Sequence, residues 1–67
     1  MPAEIYFRNG GHVTVAPSLD ALMEAVHGAS GRPVMVPAYA GGRLVVNWDN
    51  VLYAEDRLDL GDPHSSP

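Results

Sequence analysis

Three histidines, His12, His27 and His64, are the side chains of this 67-residue sequence that titrate near neutrality. Zinc-type sites draw His or Cys ligands at short spacings, such as His at i and i+4 on one helix face. Here the three lie far apart, on a strand, a helix end and a tail, and no Cys is present. The spacing therefore predicts solvated histidines and neither a bound metal nor a cofactor. His27, in the last turn of the predicted helix, suits the negative end of the helix dipole. The absence of Cys also removes any thiol nucleophile and any disulfide.

Four acids, Glu55, Asp56, Asp59 and Asp62, crowd the C-terminal stretch. A calcium loop needs oxygens at alternating positions, a mid-loop Gly and a closing Glu, which this spacing lacks. A general acid–base pair needs a pocket that separates the two pKa values, and a chain this short has little room for one. The cluster reads as a solvated acidic rim. Gly28-Ala29-Ser30-Gly31-Arg32 has the look of a phosphate loop. It follows a helix, however, whereas phosphates bind at helix N-termini, and it lacks the Lys-Ser/Thr ending. No serine has a His and Asp neighbourhood in sequence. No catalytic residue is assigned, and an enzyme is not expected.

The aromatics Tyr6, Phe7, Tyr39, Trp48 and Tyr53 could stack on bases, as in single-strand binders. Such platforms sit in basic grooves, whereas four Arg and no Lys face eight acids here, a net charge of −4. Nucleic-acid affinity comes mostly from Lys and Arg, so a nucleic-acid-binding regulator is disfavoured. Phe7 and Tyr53 read as core or interface residues. Trp48, beside Asp49 and Asn50, reads as a contact anchor, a residue type enriched at binding hot spots.

Positioning these groups requires a fold. Apolar content of 46% suits a folded chain, and the length allows one domain. Met1-Pro2-Ala3-Glu4 has no cationic or apolar leader pattern, and no apolar run spans a bilayer, so a cytoplasmic location without membrane insertion is expected. Glu4–Arg8 and His12–Val15 form a predicted hairpin around Asn9-Gly10-Gly11. A two-residue Asn9-Gly10 loop would mix polar and apolar side chains on one face. A three-residue loop with Gly11 left-handed pairs Phe7 with Val13 and Ile5 with Val15, and places Tyr6 and Thr14 together on the other face.

Ser18 then caps a helix whose apolar stripe is Leu19, Leu22, Met23 and Val26. It is expected to end near Val26 or His27, with Gly28 as the stop. A meander follows: Val34–Tyr39 with Pro37 marking an edge or bulge, a two-residue Gly41-Gly42 turn, Leu44–Asn47, a corner at Trp48-Asp49-Asn50, and Val51–Glu55. The expected fold is a single small α+β domain, ββαβββ, over residues 1–60, with one helix on an antiparallel sheet. Closure into a small barrel is the alternative. Residues 61–67 form a polar tail.

Leu44-Val45-Val46-Asn47-Trp48-Asp49-Asn50-Val51-Leu52-Tyr53-Ala54-Glu55 resembles a strand, Asn, strand, Glu segment of small bacterial and phage proteins of the flagellar FlbD-like type. Ile5–Gly10, Val13–Val15 and Ser18–Val26 are similar to the strand, Asn-Gly, strand, helix part of the same proteins, with the two pieces in rearranged order. The resemblance implies a ββα unit joined to a meander and an accessory role. It implies no catalytic residue.

In the last two strands, Val46 with Leu52 is expected on one face and Val45 with Tyr53 on the other. One short helix covers one face, so the second becomes a contact surface. Strands apolar on both sides usually lie mid-structure or under a partner. The expected function is a non-enzymatic interaction or regulatory module that self-associates as a dimer and meets an unidentified protein partner. Val45, Trp48, Tyr53 and Tyr39 are its candidate interface residues. The alternative is a phage-type acidic inhibitor of a basic nucleic-acid-binding host protein.

Overall fold

The first hairpin joins β1 (Ala3–Phe7) to β2 (His12–Val15) through a three-residue loop, Arg8-Asn9-Gly10. The Phe7 amide donates to the Gly11 carbonyl (2.8 Å), and the Gly10 amide donates to the Phe7 carbonyl (3.0 Å). Gly10, not Gly11, takes the left-handed step, with φ 93°. Asn9 Oδ1 accepts from the Gly11 amide at 2.8 Å and closes the turn. The pairs are consequently Ile5–Val13, Tyr6–His12, Glu4–Thr14 and Ala3–Val15. Relative to the expected register, the strands have slipped by two residues. An even slip keeps every side chain on its expected face.

Ser18 caps α1 (Leu19–Ala29), its hydroxyl accepting from the Ala21 amide at 3.2 Å. The Asp56 carboxylate accepts from the Leu19 amide at 3.1 Å, placing negative charge at the positive end of the helix. The helix runs past Gly28. Its left-handed residue is Ser30 (φ 50°), whose amide donates to the His27 carbonyl. The extension places Ala29 against the core, one further step along the stripe of Leu19, Leu22 and Val26. Leu22 is fully buried, while Met23 faces solvent at the margin of that stripe.

After Pro33 come β3 (Val34–Pro37) and β4 (Arg43–Val46), paired Val34–Val46, Met35–Val45, Val36–Leu44 and Pro37–Arg43. Their turn repeats the first one. Ala38 donates to the Gly42 carbonyl, Gly41 donates to Ala38, and Gly41 is left-handed at φ 112°. The loop is thus three residues, Tyr39-Ala40-Gly41, and not the expected Gly41-Gly42 pair. A two-residue loop would set Val36 against Asn47. The longer one sets it against Leu44 and gives the hairpin an apolar inner face.

The expected meander is broken after β4. A 3-10 turn, Trp48–Asn50, carries the chain away to β5 (Val51–Asp56), which pairs with β1. Two antiparallel sheets result, ordered β2-β1-β5 and β3-β4. Among the described residues a single bridge, Val15–Ala38, joins their ladders, flanked by bonds from Ala16 to the Pro37 carbonyl and from Tyr39 to the Thr14 carbonyl. Pairing stops there because Pro17 and Pro37 lie at the end of this junction and neither has an N–H to donate. The strand order around the molecule is therefore β5-β1-β2-β3-β4, with β4 and β5 unpaired on their outer edges among the described residues.

The structure, a computed structural model, describes residues 1–61, so the expected tail beyond Gly61, including Asp62 and His64, lies outside it. The core is Ala3, Ile5, Val15, Leu22, Val34, Val36, Val46 and Val51, drawn from both sheets and the helix. Opposite Tyr6 and Phe7, β5 presents Tyr53 and Val51, leaving Leu52 as an extra, bulged residue. That bulge turns Val51 into the core and Leu52 out to solvent, reversing the expected pairing of Leu52 with Val46.

Leu22→Ala is expected to cost about 2–5 kcal/mol in urea unfolding, as for other buried leucines; a loss under ~0.5 kcal/mol would mean this face bears no core. Gly10→Ala meets no atom within 4 Å of the added Cβ. Its expected cost, about 1–2 kcal/mol, is therefore purely the left-handed penalty, and an unchanged urea midpoint would show that the loop adopts another turn.

Candidate functional site

The outer face of the three-stranded sheet carries two rows of side chains that cross all three strands. Registers place Thr14, Glu4 and Glu55 in one row, and His12, Tyr6 and Tyr53 in the other. Glu4 is the unusual member. It sits on the central strand with 1% of its surface exposed. A carboxylate so buried requires donors, and it has three. Thr14 Oγ1 and Arg57 donate to Oε1, the latter at 2.8 Å, and His12 Nδ1 lies 2.9 Å from Oε2. An ionised carboxylate has no proton to give, so His12 carries its hydrogen on Nδ1.

Burial alone would raise the Glu4 carboxyl pKa. The hydrogen bonds from Thr14, His12 and Arg57 outweigh it and hold the group below the usual carboxylate range. Arg57 also forks onto Asp59, with bonds of 2.8 and 2.7 Å. The fork holds Asp59 at about 2 and, together with Glu4, pushes the guanidinium upward. Glu55 directly opposes Glu4 across the strands, a like-charge pair that is unfavourable by itself. The Arg57 charge beside Glu4 offsets this repulsion, and the Tyr6 hydroxyl, donating to Glu55 at 3.0 Å, occupies the second carboxylate. That bond raises the Tyr6 pKa, because losing the phenolic proton would leave two anions in contact.

The aromatic row is stacked. Tyr6 and Tyr53 have ring centroids 4.5 Å apart at 21°, and His12 stands 5.7 Å from Tyr6. The row ends at Tyr53, 52% exposed on edge strand β5. At the opposite, β2 end of the row, a shallow cleft of about 340 Å³ is lined by Glu4, His12, Val13, Thr14, Ala38, Tyr39 and Ala40. Of its lining residues, Glu4 and His12 are bonded to each other.

The candidate interface residues are dispersed by the departure of β5. Val45 is 69% exposed on the outer face of β4, in the other sheet from Tyr53. The two do not share one sheet face as expected, because β4 and β5 do not pair. Trp48 is half-buried against the core from the 3-10 turn, and Tyr39 is half-buried in the β3–β4 loop. Of the acids read as a solvated rim, Glu55 holds Tyr6, Asp56 holds the helix N-terminus and Asp59 holds Arg57. Gly28–Arg32 forms the helix C-terminal cap, with Arg32 donating to the Ala29 carbonyl. His27 is exposed in the last turn of α1. Among the described residues no cluster of three His, Asp or Glu side chains is arranged around a metal position, and no helix is long and apolar enough to cross a membrane.

Glu4 and Arg57 were not singled out by sequence reasoning. Period-two alternation already put Tyr6 and Thr14 on a shared outer face, and it extends to Glu4 and His12. Nothing in the sequence brings Arg57 back to β1.

A lowered folded pKa means that Glu4 contributes stability above the unfolded carboxyl value of about 4.3, and that this contribution is lost as pH falls through the lower folded value. Glu4→Gln keeps the size but sets an NH2 against a donor. It is expected to cost about 1–3 kcal/mol at pH 7 and to flatten the acid limb of a stability–pH curve. An unchanged acid limb in urea titrations would remove Glu4 from this role.

Comparison of the chain with known protein families, characterised proteins and solved structures gives no match, so a functional reading rests on this geometry.

Proposed function

We propose that the chain is a non-enzymatic interaction module that acts through protein–protein contact and self-associates as a dimer. The observation that carries this reading is the pair of open strand edges, with large apolar side chains facing solvent on or beside them. Val45 and Met35 are 69% and 59% exposed on the two-stranded sheet, and Leu52 and Tyr53 are 60% and 52% exposed on β5. Soluble monomers keep contiguous patches of this kind small, and unpaired edges are templates for another strand. The side chains with chemistry support the same reading, since Glu4, His12, Arg57, Asp59 and Glu55 are engaged with one another or with Tyr6.

A second reading, an acidic inhibitor docking on a basic nucleic-acid-binding protein, is favoured by the net charge of −4 and by Glu55 beside the exposed Tyr53 ring. Cationic side chains stack on such rings and pair with such carboxylates. Binding of that kind weakens with salt and is competed by nucleic acid.

Sedimentation equilibrium across low to high micromolar concentration tests the first reading. The expected result is a mass that rises to twice the chain's with concentration and changes little with salt. A constant monomer mass at high micromolar concentration would overturn it.

A further inference from the structure

We propose that β4 pairs with β4 of a second copy, antiparallel about a twofold axis at Val45, joining two hairpins into one four-stranded sheet. This rests on the self-association reading and names its surface. The bond from the Ala38 amide to the Gly42 carbonyl sets the alternation along the hairpin. Leu44 and Val46 turn their main-chain groups toward β3, and Arg43 and Val45 turn theirs to the open edge. That edge therefore offers donors and acceptors at alternate residues, the arrangement another strand requires.

The side chains point to the same occupant. Leu44 and Val46 face inward, Val45 faces outward, and the strand is apolar on both faces. Such strands are normally central, yet this one lies at an edge. Edges are usually guarded by charge, proline or a bulge. Strand β5 has such guards, in its Leu52 bulge and in Glu55 and Asp56. Strand β4 carries a single charge, Arg43, at its first position.

The strand is complementary to a second copy of itself. With Val45 on the axis, Val45 meets Val45, Leu44 meets Val46, and Arg43 meets Asn47, so no like charges oppose and apolar residues face apolar ones on both sides. A cleft of about 330 Å³, lined by Phe7, Asn9, Val45, Val46, Asn47 and Asn50, adjoins the strand. A two-stranded sheet is marginal alone, and four strands remove that weakness.

The chain has no cysteine, so single thiols report on the contact directly. Directly opposed antiparallel residues lie within disulfide reach. With wild-type protein sedimenting as a dimer, Val45→Cys is expected to cross-link to a covalent dimer under mild oxidation. Tyr53→Cys, a comparably exposed site on the other edge, is expected to stay monomeric on a denaturing gel. Val45→Lys is expected to weaken the dimer at least tenfold with an unchanged far-ultraviolet circular dichroism spectrum. Cross-linking through Tyr53→Cys alone, or an unweakened Val45→Lys dimer, would overturn the β4 contact and leave self-association standing through another surface. A wild-type monomer at high micromolar concentration would overturn both.

Discussion

A carboxylate with almost no solvent contact, Glu4, stands on the central strand of the larger sheet, and the surrounding structure is arranged to satisfy it. Leaving it unpaired would cost several kcal/mol, a large share of the stability of so short a chain. Its donors come from two places: Thr14 and His12 on β2, and Arg57 just after β5. Each of these contacts requires a particular register. A one-residue slip of β2 would turn Thr14 and His12 to the core face, and a slip of β5 would carry Arg57 away from Oε1. The polar network thus specifies the pairing that apolar burial drives.

Packing on the opposite side of the same strands follows the same alternation. Ala3 and Ile5 face the core because Glu4 and Tyr6 face outward. Both hairpins reach this arrangement with the same three-residue loop closed by a left-handed glycine, Gly10 in one and Gly41 in the other. The loop length determines which side chains share a face, so each apolar face follows from the geometry of one turn. Across the sheet, the ion pairing of Arg57 with Glu4 and Asp59 fastens the segment after β5 to β1, and Asp56 fastens the end of β5 to the helix.

The open architecture has an equally local origin. Prolines at positions 17 and 37 end the junction between β2 and β3 after one bridge, so the two sheets meet at a corner. The 3-10 turn at Trp48, secured by Asn47 Oδ1 accepting from the Asp49 amide at 3.1 Å, sends β5 to the far side of β1. These two features leave β4 and β5 as separate edges with different protection. Strand β5 carries a bulge and two acids, whereas β4 presents an almost uncharged aliphatic edge.

Much of this was determined by the sequence alone. The ββαβββ order, the Ser18 cap, the burial of Leu22 and the outward face bearing Tyr6 and Thr14 follow from capping chemistry and from periods of 3.6 and 2, which are local properties. Loop details were less legible. With Asn9-Gly10-Gly11 and Gly41-Gly42, several glycines can take the left-handed step, and cross-strand packing chooses among them. The partner of β5 was decided by tertiary structure. Its pattern, apolar on both faces, suits β4 and β1 equally, and the choice turns on a corner turn, a bulge at Leu52 and the reach of Arg57 to a carboxylate 53 positions earlier in the chain. The candidate site depended on the same choice. Alternation sets which face Glu4 shares, but only the folded arrangement of β1, β2 and β5 brings together the donors that let a carboxylate remain charged out of water.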